Sequence, residues 1–462
     1  MMPESPPTMK FTPDPSEPRG RPPLPKPIGR LRPWLLAFVY WITLVPLSYA
    51  PRINGNVWSR YMTIESIVER GTLVVSRSPL LPRSGTVDLV KFRGKLYSDK
   101  PPVLPALTSA IYLPMSMMGL PLYGPVPQMI LANWVLVTTT VGVASAFAVG
   151  WLRQLLQATN FRRWVSDLLA LGCGYGSLVF SYAVTYNNHS VAAALLTGAL
   201  AMVILEPAGS KPSRRRAFGG FLAALAATMD LPAGGTILAA LGILLFVRER
   251  RFPLAFALGA VGPILLHCGL QSLVTGTPLP SEMYPESFEY EGAFWTTQAG
   301  RWDEVGPRWS FGIEFLLGYQ GWLTVTPALA LGLAGIGLVA ARRSDPLRPS
   351  ALALGSSLAL ILAYYIWGVR RTDYAGFSFG TRHMLALTPC TWFFAAAGLD
   401  RLRSRWANAA FVPLVAIGLI YAFLGMIDPW ARIDRPHVDP RLDAVVARLR
   451  PLVIYKHTSF IR

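Results

Sequence analysis

One short stretch combines groups that could do chemistry on an anion: Gly94-Lys95-Leu96-Tyr97-Ser98-Asp99-Lys100-Pro101-Pro102. Asp99 and Lys100 stand directly before a Pro-Pro pair that opens an apolar run. Proline fits the first turn of a helix, where no intrahelical donor is lost. A carboxylate and an ammonium are thus held beside a helix N-terminus, a place that favours anions. The chemistry this permits is the binding of a lipid-linked phosphate. The same segment, 51–102, also carries Arg60-Tyr61, Glu65, Glu69 and Asp88. Farther along stand Tyr186-Asn187-Asn188-His189, Asp230, Arg370, Arg371 and Phe379-Gly380-Thr381-Arg382-His383.

Each of these groups also has a purely structural reading. Glu65 and Glu69 lie four apart on an expected helix that carries Arg60 and Arg70, which makes a solvated charged face as good an account as a site. Asp99 and Lys100 could be a surface ion pair at a helix start, and Asp88 could be a turn residue. His189 beside two asparagines reads as a satisfied interfacial polar cluster rather than a metal ligand, and His267 as a core histidine. Asp230 would be costly inside a membrane unless a helix break brings it near water. The three cysteines, Cys173, Cys268 and Cys390, have neither the number nor the spacing of a disulfide framework or a zinc site. No ligand spacing indicates a metal, and a divalent ion stays open as a cofactor.

The elements that must position these residues follow from composition. The chain has 462 residues, 52% hydrophobic and only 15% charged, against about 25% charged in soluble domains. Its mean hydropathy is +0.38. Eleven spans of about 20 residues would use about half the chain, so the expected fold is an all-α polytopic membrane protein. The net charge of +18 comes from short Lys/Arg clusters between apolar runs, the distribution of cytoplasmic loops rather than of a nucleic-acid surface. Those clusters are Arg153 with Arg162 and Arg163; Lys211 with Arg214 to Arg216; Arg248 with Arg250 and Arg251; Arg342, Arg343 and Arg348; and Arg401, Arg403 and Arg405.

Residues 1–33 are proline-rich and lack apolar periodicity, which predicts a disordered cytoplasmic tail. Trp34 to Ala50 ends in a Ser48-Tyr49-Ala50 that loosely mimics a cleavage site, but Pro51 and the spans behind it favour a retained first helix. Further apolar segments lie near 128–152, 165–183, 190–206, 219–247, 253–272, 322–341, 351–368, 383–399 and 408–427. Parity requires that the helix near 103–119 lie at the outer interface. It also requires that 219–247, broken at Asp230-Leu231-Pro232, return to the cytoplasm as two short helices. The expected result is a membrane domain over 34–427 with about eleven spans, a cytoplasmic N-terminus and an external tail over 428–462. Outer loops then cover 51–102, about 275–320 and 369–382. No repeat is evident. A first loop as long as 51–102 exceeds what a connector needs, which points to function there.

On these residues the sequence resembles the GT-C glycosyltransferases. Arg60-Tyr61 after the first span, Gly71-Thr72-Leu73, Asp88 and Tyr97-Ser98-Asp99-Lys100-Pro101-Pro102 look like that superfamily's first periplasmic loop, most like the bacterial aminoarabinose transferases of lipid A and the protein O-mannosyltransferases. Tyr186 to His189, the interrupted helix at Asp230 and Phe379 to His383 extend the likeness over most of 34–400. The resemblance implies a GT-C-like fold in a bacterial cytoplasmic membrane. It further implies inverting transfer of a sugar from a polyprenyl-phosphate or polyprenyl-diphosphate donor, at the outer face, to a lipid, glycan or protein acceptor. Such a reaction needs a carboxylate base, with Asp88, Glu65 and Asp99 as candidates, and cations for the phosphate, with Lys100, Arg382, Arg370 and Arg371 as candidates. Arg60, Tyr61, Tyr97, His189 and His383 are then expected to bind substrate.

There is one departure. Family members place an acidic residue a few positions before the Arg-Tyr pair, whereas this chain reads Asn54-Gly55-Asn56-Val57-Trp58-Ser59. Either another carboxylate has taken the role or the chain is a non-catalytic relative. A transporter or flippase for a lipid-linked saccharide would share the span count, but would place its ionisable groups along a mid-bilayer path. No glycine-rich nucleotide loop is present, which argues against a nucleotide-sugar donor.

Overall fold

The computed structural model describes residues 31–206, 214–291, 293, 308–318, 320–368, 378–402 and 404–430. Arg370, Arg371, nearly all of the tails at 1–33 and 428–462, and part of the expected outer loop at 275–320 lie outside them. The described fold is all-α apart from one small hairpin in the first loop.

Helix α1 (Arg32–Leu47) leads into the first loop. There α2 (Gly55–Arg70) begins where the Asn54 side chain accepts the Val57 N–H at 3.1 Å, one of the donors a helix start leaves unpaired. It ends at Gly71, whose φ of 62° suits a residue without a Cβ. A one-turn helix α3 (Leu81–Ser84) and the antiparallel pair β1 (Leu89–Phe92) and β2 (Lys95–Ser98) follow, in register Leu89 with Ser98. The all-helical expectation missed this hairpin, which is only four residues a side and turns through Arg93-Gly94. Then α4 (Val103–Met117) starts behind the Pro-Pro pair. Its 15 residues rise only about 22 Å, less than a ~30 Å hydrocarbon core.

The remaining helices run up and down. Helix α5 (Val126–Val137) passes through a π-turn at Thr138–Gly142 into α6 (Val143–Leu155). Next come α7 (Arg163–Tyr175), the short α8 (Leu178–Tyr182) and α9 (Asn188–Ile204). The segment 219–247 is a helical hairpin of α10 (Arg214–Met229) and α11 (Leu231–Glu249), broken at Asp230 as its Leu231-Pro232 sequence predicts. It departs from expectation in length: α11, with 19 residues, is long and apolar enough to cross a membrane. After α12 (Leu254–Thr275) come α13 (Arg308–Leu317), α14 (Trp322–Val325), α15 (Leu329–Ala341), α16 (Arg348–Ala363), α17 (Thr388–Leu402) and α18 (Arg405–Ile427).

Among the described residues five helices pass the length and hydropathy of a span, six if α13 and α14 with α15 form one bent span. The other apolar helices are shorter than the expected ~20 residues. The cause is local: α9 is cut short by its Asn187 cap, and α10 by the break at Asp230. Apolar residues cover the outside of the long helices, including Ile243, Phe246 and Val247 on α11, Leu258 and Leu265 on α12, and Val412 and Phe423 on α18. A surface of that kind is stable in lipid, not in water. The protein is a polytopic membrane protein.

Close helix crossings hold the bundle. A Cβ on Gly220 of α10 would meet the Phe256 carbonyl oxygen at 1.9 Å, and one on Gly259 of α12 would meet that of Ala217 at 1.8 Å. Small residues on both partners let the backbones touch, which in lipid replaces the hydrophobic drive to pack. At one end of the bundle ion pairs gather the basic clusters: Arg32 and Arg153 both pair with Asp167, Arg216 pairs with Glu206 and Glu249 at 2.6 Å each, and Arg401 pairs with Asp345 at 2.8 Å. The first loop and the tip of the α10–α11 hairpin sit at the other end, where Arg60 and Asp230 meet the start of α9.

Candidate active site

At that second end the sequence Tyr186-Asn187-Asn188-His189 acts as a hub. Asn187 caps α9 by accepting the Ser190 N–H at 2.8 Å, which fixes the two residues behind it on the first turn. Asn188 then accepts from Arg60 Nη2 at 2.6 Å and donates to the Met229 carbonyl at 2.7 Å. His189 Nδ1 lies 2.7 Å from Asp230 Oδ2. Tyr186 shares a hydrogen bond with Thr108 of α4 at 2.6 Å. Tyr186, Asn188 and His189 therefore tie α4, α2 and the hairpin tip to the start of α9.

Arg60 is 3% exposed. Its Nη1 donates to the Asn56 backbone and side-chain oxygens at 2.9 Å each, and its Nε has no hydrogen-bond partner. All its partners are neutral. Burial lowers its pKa to about 10, still charged at neutral pH. The amide of Asn56 hydrogen-bonds the Arg60 charge but carries no charge to cancel it.

Lys100 is held between two carboxylates, with Nζ 3.1 Å from Asp88 Oδ1 and 2.8 Å from Asp99 Oδ2. Burial would depress its pKa, but Asp88 and Asp99 outweigh that and hold it above the usual lysine range. The hairpin makes this grouping: Leu89 opposite Ser98 sets Asp88 beside Asp99, whose N–H donates to the Asp88 carbonyl at 3.3 Å. The Asp88 Oδ2 packs on the first turn of α2, where a Cβ on Gly55 would lie 3.4 Å away. The second oxygen of Asp99 is buried and unpartnered. Burial, opposed by Lys100 and reinforced by Asp88, raises the Asp99 pKa to about 7.

Arg382 closes the group. Its guanidinium stacks over the Trp430 ring at 5.6 Å, its Nε is buried without a partner, and its charge reaches Arg60, His189 and His383. His383 lies edge-on to His189, with centroids 5.7 Å apart, and stacks on Tyr365 at 5.0 Å.

Other candidates are elsewhere or otherwise engaged. Glu65 is 1% exposed and closed by Arg70, at 2.6 Å from Nη2, and by the Ser78 hydroxyl at 2.7 Å; it bonds the loop to itself. Glu69 accepts from Ser116 on α4. Tyr61 donates to Asn133 at 2.7 Å, and Tyr97 sits in a small apolar core with Leu73, Val90 and Val274. Arg370 and Arg371 lie outside the described residues. Sequence reasoning named Asn188 only within the Tyr186–His189 motif and gave it no role, because a neutral amide gives no chemical signal, and it did not name Tyr365 or Trp430. Among the described residues no cluster of His, Cys, Asp and Glu could hold a metal.

No protein-family model matches the chain, and no curated protein matches it. Among solved structures, two of ArnT from Cupriavidus metallidurans are similar, one bound to undecaprenyl phosphate and one in the apo state. They are 16% and 15% identical to this chain, each covering 85% of it and 75% of the ArnT chain, with a TM-score of 0.48 in both cases.

Proposed function

We propose that the protein is an integral-membrane glycosyltransferase. It would move a sugar from a polyprenyl-phosphate-linked donor to a lipid, glycan or protein acceptor at the outer face of a bacterial cytoplasmic membrane. In this reading the N-terminus is cytoplasmic, the C-terminal tail external, and 51–102 the outer loop that carries the site.

The observation that carries the reading is the pair of guanidiniums Arg60 and Arg382, each with a buried, unpartnered Nε, within electrostatic reach of one another. A buried donor without a partner costs about 1–3 kcal/mol, and two like charges add repulsion. An anion with several acceptor oxygens relieves both, and arginine's planar fork matches a phosphate. Charge arithmetic refines the sequence reading of Lys100. Lys100 is already paired with Asp88 and, where Asp99 is ionised, with that carboxylate too, so it is less available to phosphate than the two arginines. The carboxylates position the ammonium at the rim of the phosphate site.

In the transfer, the acceptor oxygen attacks the anomeric carbon and the bond to the phosphate oxygen breaks. The electron pair leaves with the phosphate, and Arg60 and Arg382 stabilise that growing charge. A flippase is the weaker reading, because the titratable groups of the candidate site, Arg60, Asp88, Asp99, Lys100, His189, Asp230, Arg382 and His383, gather at one end of the helices rather than along a path.

The test is binding and turnover of polyprenyl-phosphate-linked hexoses and pentoses by the protein in lipid nanodiscs, wild type against Arg60→Ala and Arg382→Ala. Loss of a charge-assisted contact worth about 1.5–3 kcal/mol weakens donor binding about 10- to 150-fold. Wild-type affinity in both variants puts the donor elsewhere.

A further inference from the structure

His189 and Asp230 form a pair that phosphate binding does not use. Asp230 is fixed from two sides: its backbone starts the second limb of the α10–α11 hairpin, and its Oδ1 faces the Ala233 N–H at 3.5 Å. Its other oxygen lies 2.7 Å from His189 Nδ1. The Asp230 side chain is 2% exposed and that of His189 13%, so the carboxylate is sealed behind the imidazole. A carboxylate on Nδ1 holds the proton there and leaves the lone pair on Nε2. That nitrogen makes no hydrogen bond among the described residues. The charged or titratable neighbours facing the ring are Asp230, His383, Arg382 and Arg60.

Asp88 and Asp99 are poorly placed to take a proton from an acceptor. Each spends one oxygen on Lys100, the second oxygen of Asp99 is buried, and the second oxygen of Asp88 faces the start of α2 at Gly55. His189 follows directly after Asn188, which holds the Arg60 guanidinium, so the imidazole and the phosphate anchor are set by adjacent residues on one helical turn.

We infer that His189, oriented by Asp230, is the general base that takes the acceptor's proton, in place of the carboxylate that the stretch 54–59 lacks. The inference rests on the glycosyltransferase reading. As the acceptor O–H transfers its proton to Nε2, the oxygen's electron pair forms the new bond to the anomeric carbon, and the old carbon–oxygen bond releases its pair to the phosphate. The imidazolium, balanced by Asp230, returns its proton to solvent. Asp230 touches no reacting atom and is a positioning residue.

The experiment compares wild type, His189→Gln, Asp230→Asn and His383→Gln in nanodiscs. It measures donor affinity and the pH profile of polyprenyl-phosphate release from the same donor panel. His189→Gln is expected to bind donor within about twofold of wild type while kcat falls about 10²–10⁴-fold, with the rising limb of the pH profile abolished and rate partly restored by added imidazole in His189→Gly. Asp230→Asn should lower kcat and displace that limb, and His383→Gln should keep it. Full kcat in His189→Gln, or loss of the limb in Asp99→Asn instead, overturns the assignment while the enzyme reading stands. Joint loss of donor binding and turnover in His189→Gln, with no imidazole rescue in His189→Gly, makes the pair structural and overturns it too. A wild type that neither binds nor turns over any donor overturns the glycosyltransferase reading and this inference together.

Discussion

The Arg60 guanidinium donates to the Asn188 side-chain oxygen across 2.6 Å, and this contact joins α2 of the first loop to the central helix α9. Arg60 comes from a helix whose cap is Asn54, and Asn188 from a helix whose cap is Asn187. Two caps, 133 residues apart in sequence (187 minus 54), thus set the geometry of one charged group.

Removing the amide tests that linkage. In Asn188→Leu the volume is kept, but Arg60 Nη2 and the Met229 carbonyl both lose a buried partner. Such losses cost about 1–3 kcal/mol each. Thermal unfolding in detergent should show a lower midpoint, and donor affinity should fall because Arg60 loses its orientation. Unchanged stability and affinity would show that the contact carries no weight.

Glu65 separates structure from chemistry. It is closed by Arg70 and Ser78, so Glu65→Gln should destabilise the loop by about 1–3 kcal/mol, as expected when a buried charge-assisted network is cut. Turnover per folded molecule should stay within a few-fold of wild type. A large fall in kcat with intact stability would return Glu65 to the reacting centre.

How much of this was legible in the sequence follows from which forces set each part. The apolar helical segments, the hairpin break at Asp230-Leu231-Pro232 and the start of α4 behind Pro101-Pro102 were readable, because proline and apolar runs act locally, while the number of full-length spans was not. The β-hairpin escaped, since four-residue strands flanked by charged residues carry little alternation. The meeting of Asp88 with Lys100 needed that hairpin, and the pairing of His189 with Asp230 needed the packing of α9 against α10. Both are long-range consequences that no spacing rule contains. Glu65 looked like a candidate base for the same reason: its partner Ser78 lies on the far side of a turn.

Sidedness can be checked directly. The ion pairs of Arg153 and Arg32 with Asp167, of Arg216 with Glu249 and of Arg401 with Asp345 gather at the end opposite Arg60 and Asp230. Reporter fusions at Arg163, Arg216 and Arg343 should therefore all give one signal, and a cysteine label at Arg83 or Lys95 of the first loop the opposite one. A mixed result among the three would break the bundle's parity. The positive-inside trend assigns the shared signal to the cytoplasm.

The last prediction concerns pH. Asp99 has a folded-state pKa near 7, raised chiefly by burial, against about 3.9 in an unfolded chain. Between those values the folded state binds more protons than the unfolded state, so the sign of the linkage is negative: stability falls as pH rises from about 4 to about 7, and levels off above that. Asp99→Asn removes the titration. Melting midpoints of the two proteins in the same detergent, taken from pH 5 to pH 8.5, should then show wild type losing stability relative to the variant through this window. Lys100 keeps Asp88 as its partner throughout, so the difference should reach a plateau above pH 8 rather than grow. A difference that is flat from pH 5 to pH 8.5 would mean that Asp99 is ionised across the whole range and that Lys100 neutralises it fully.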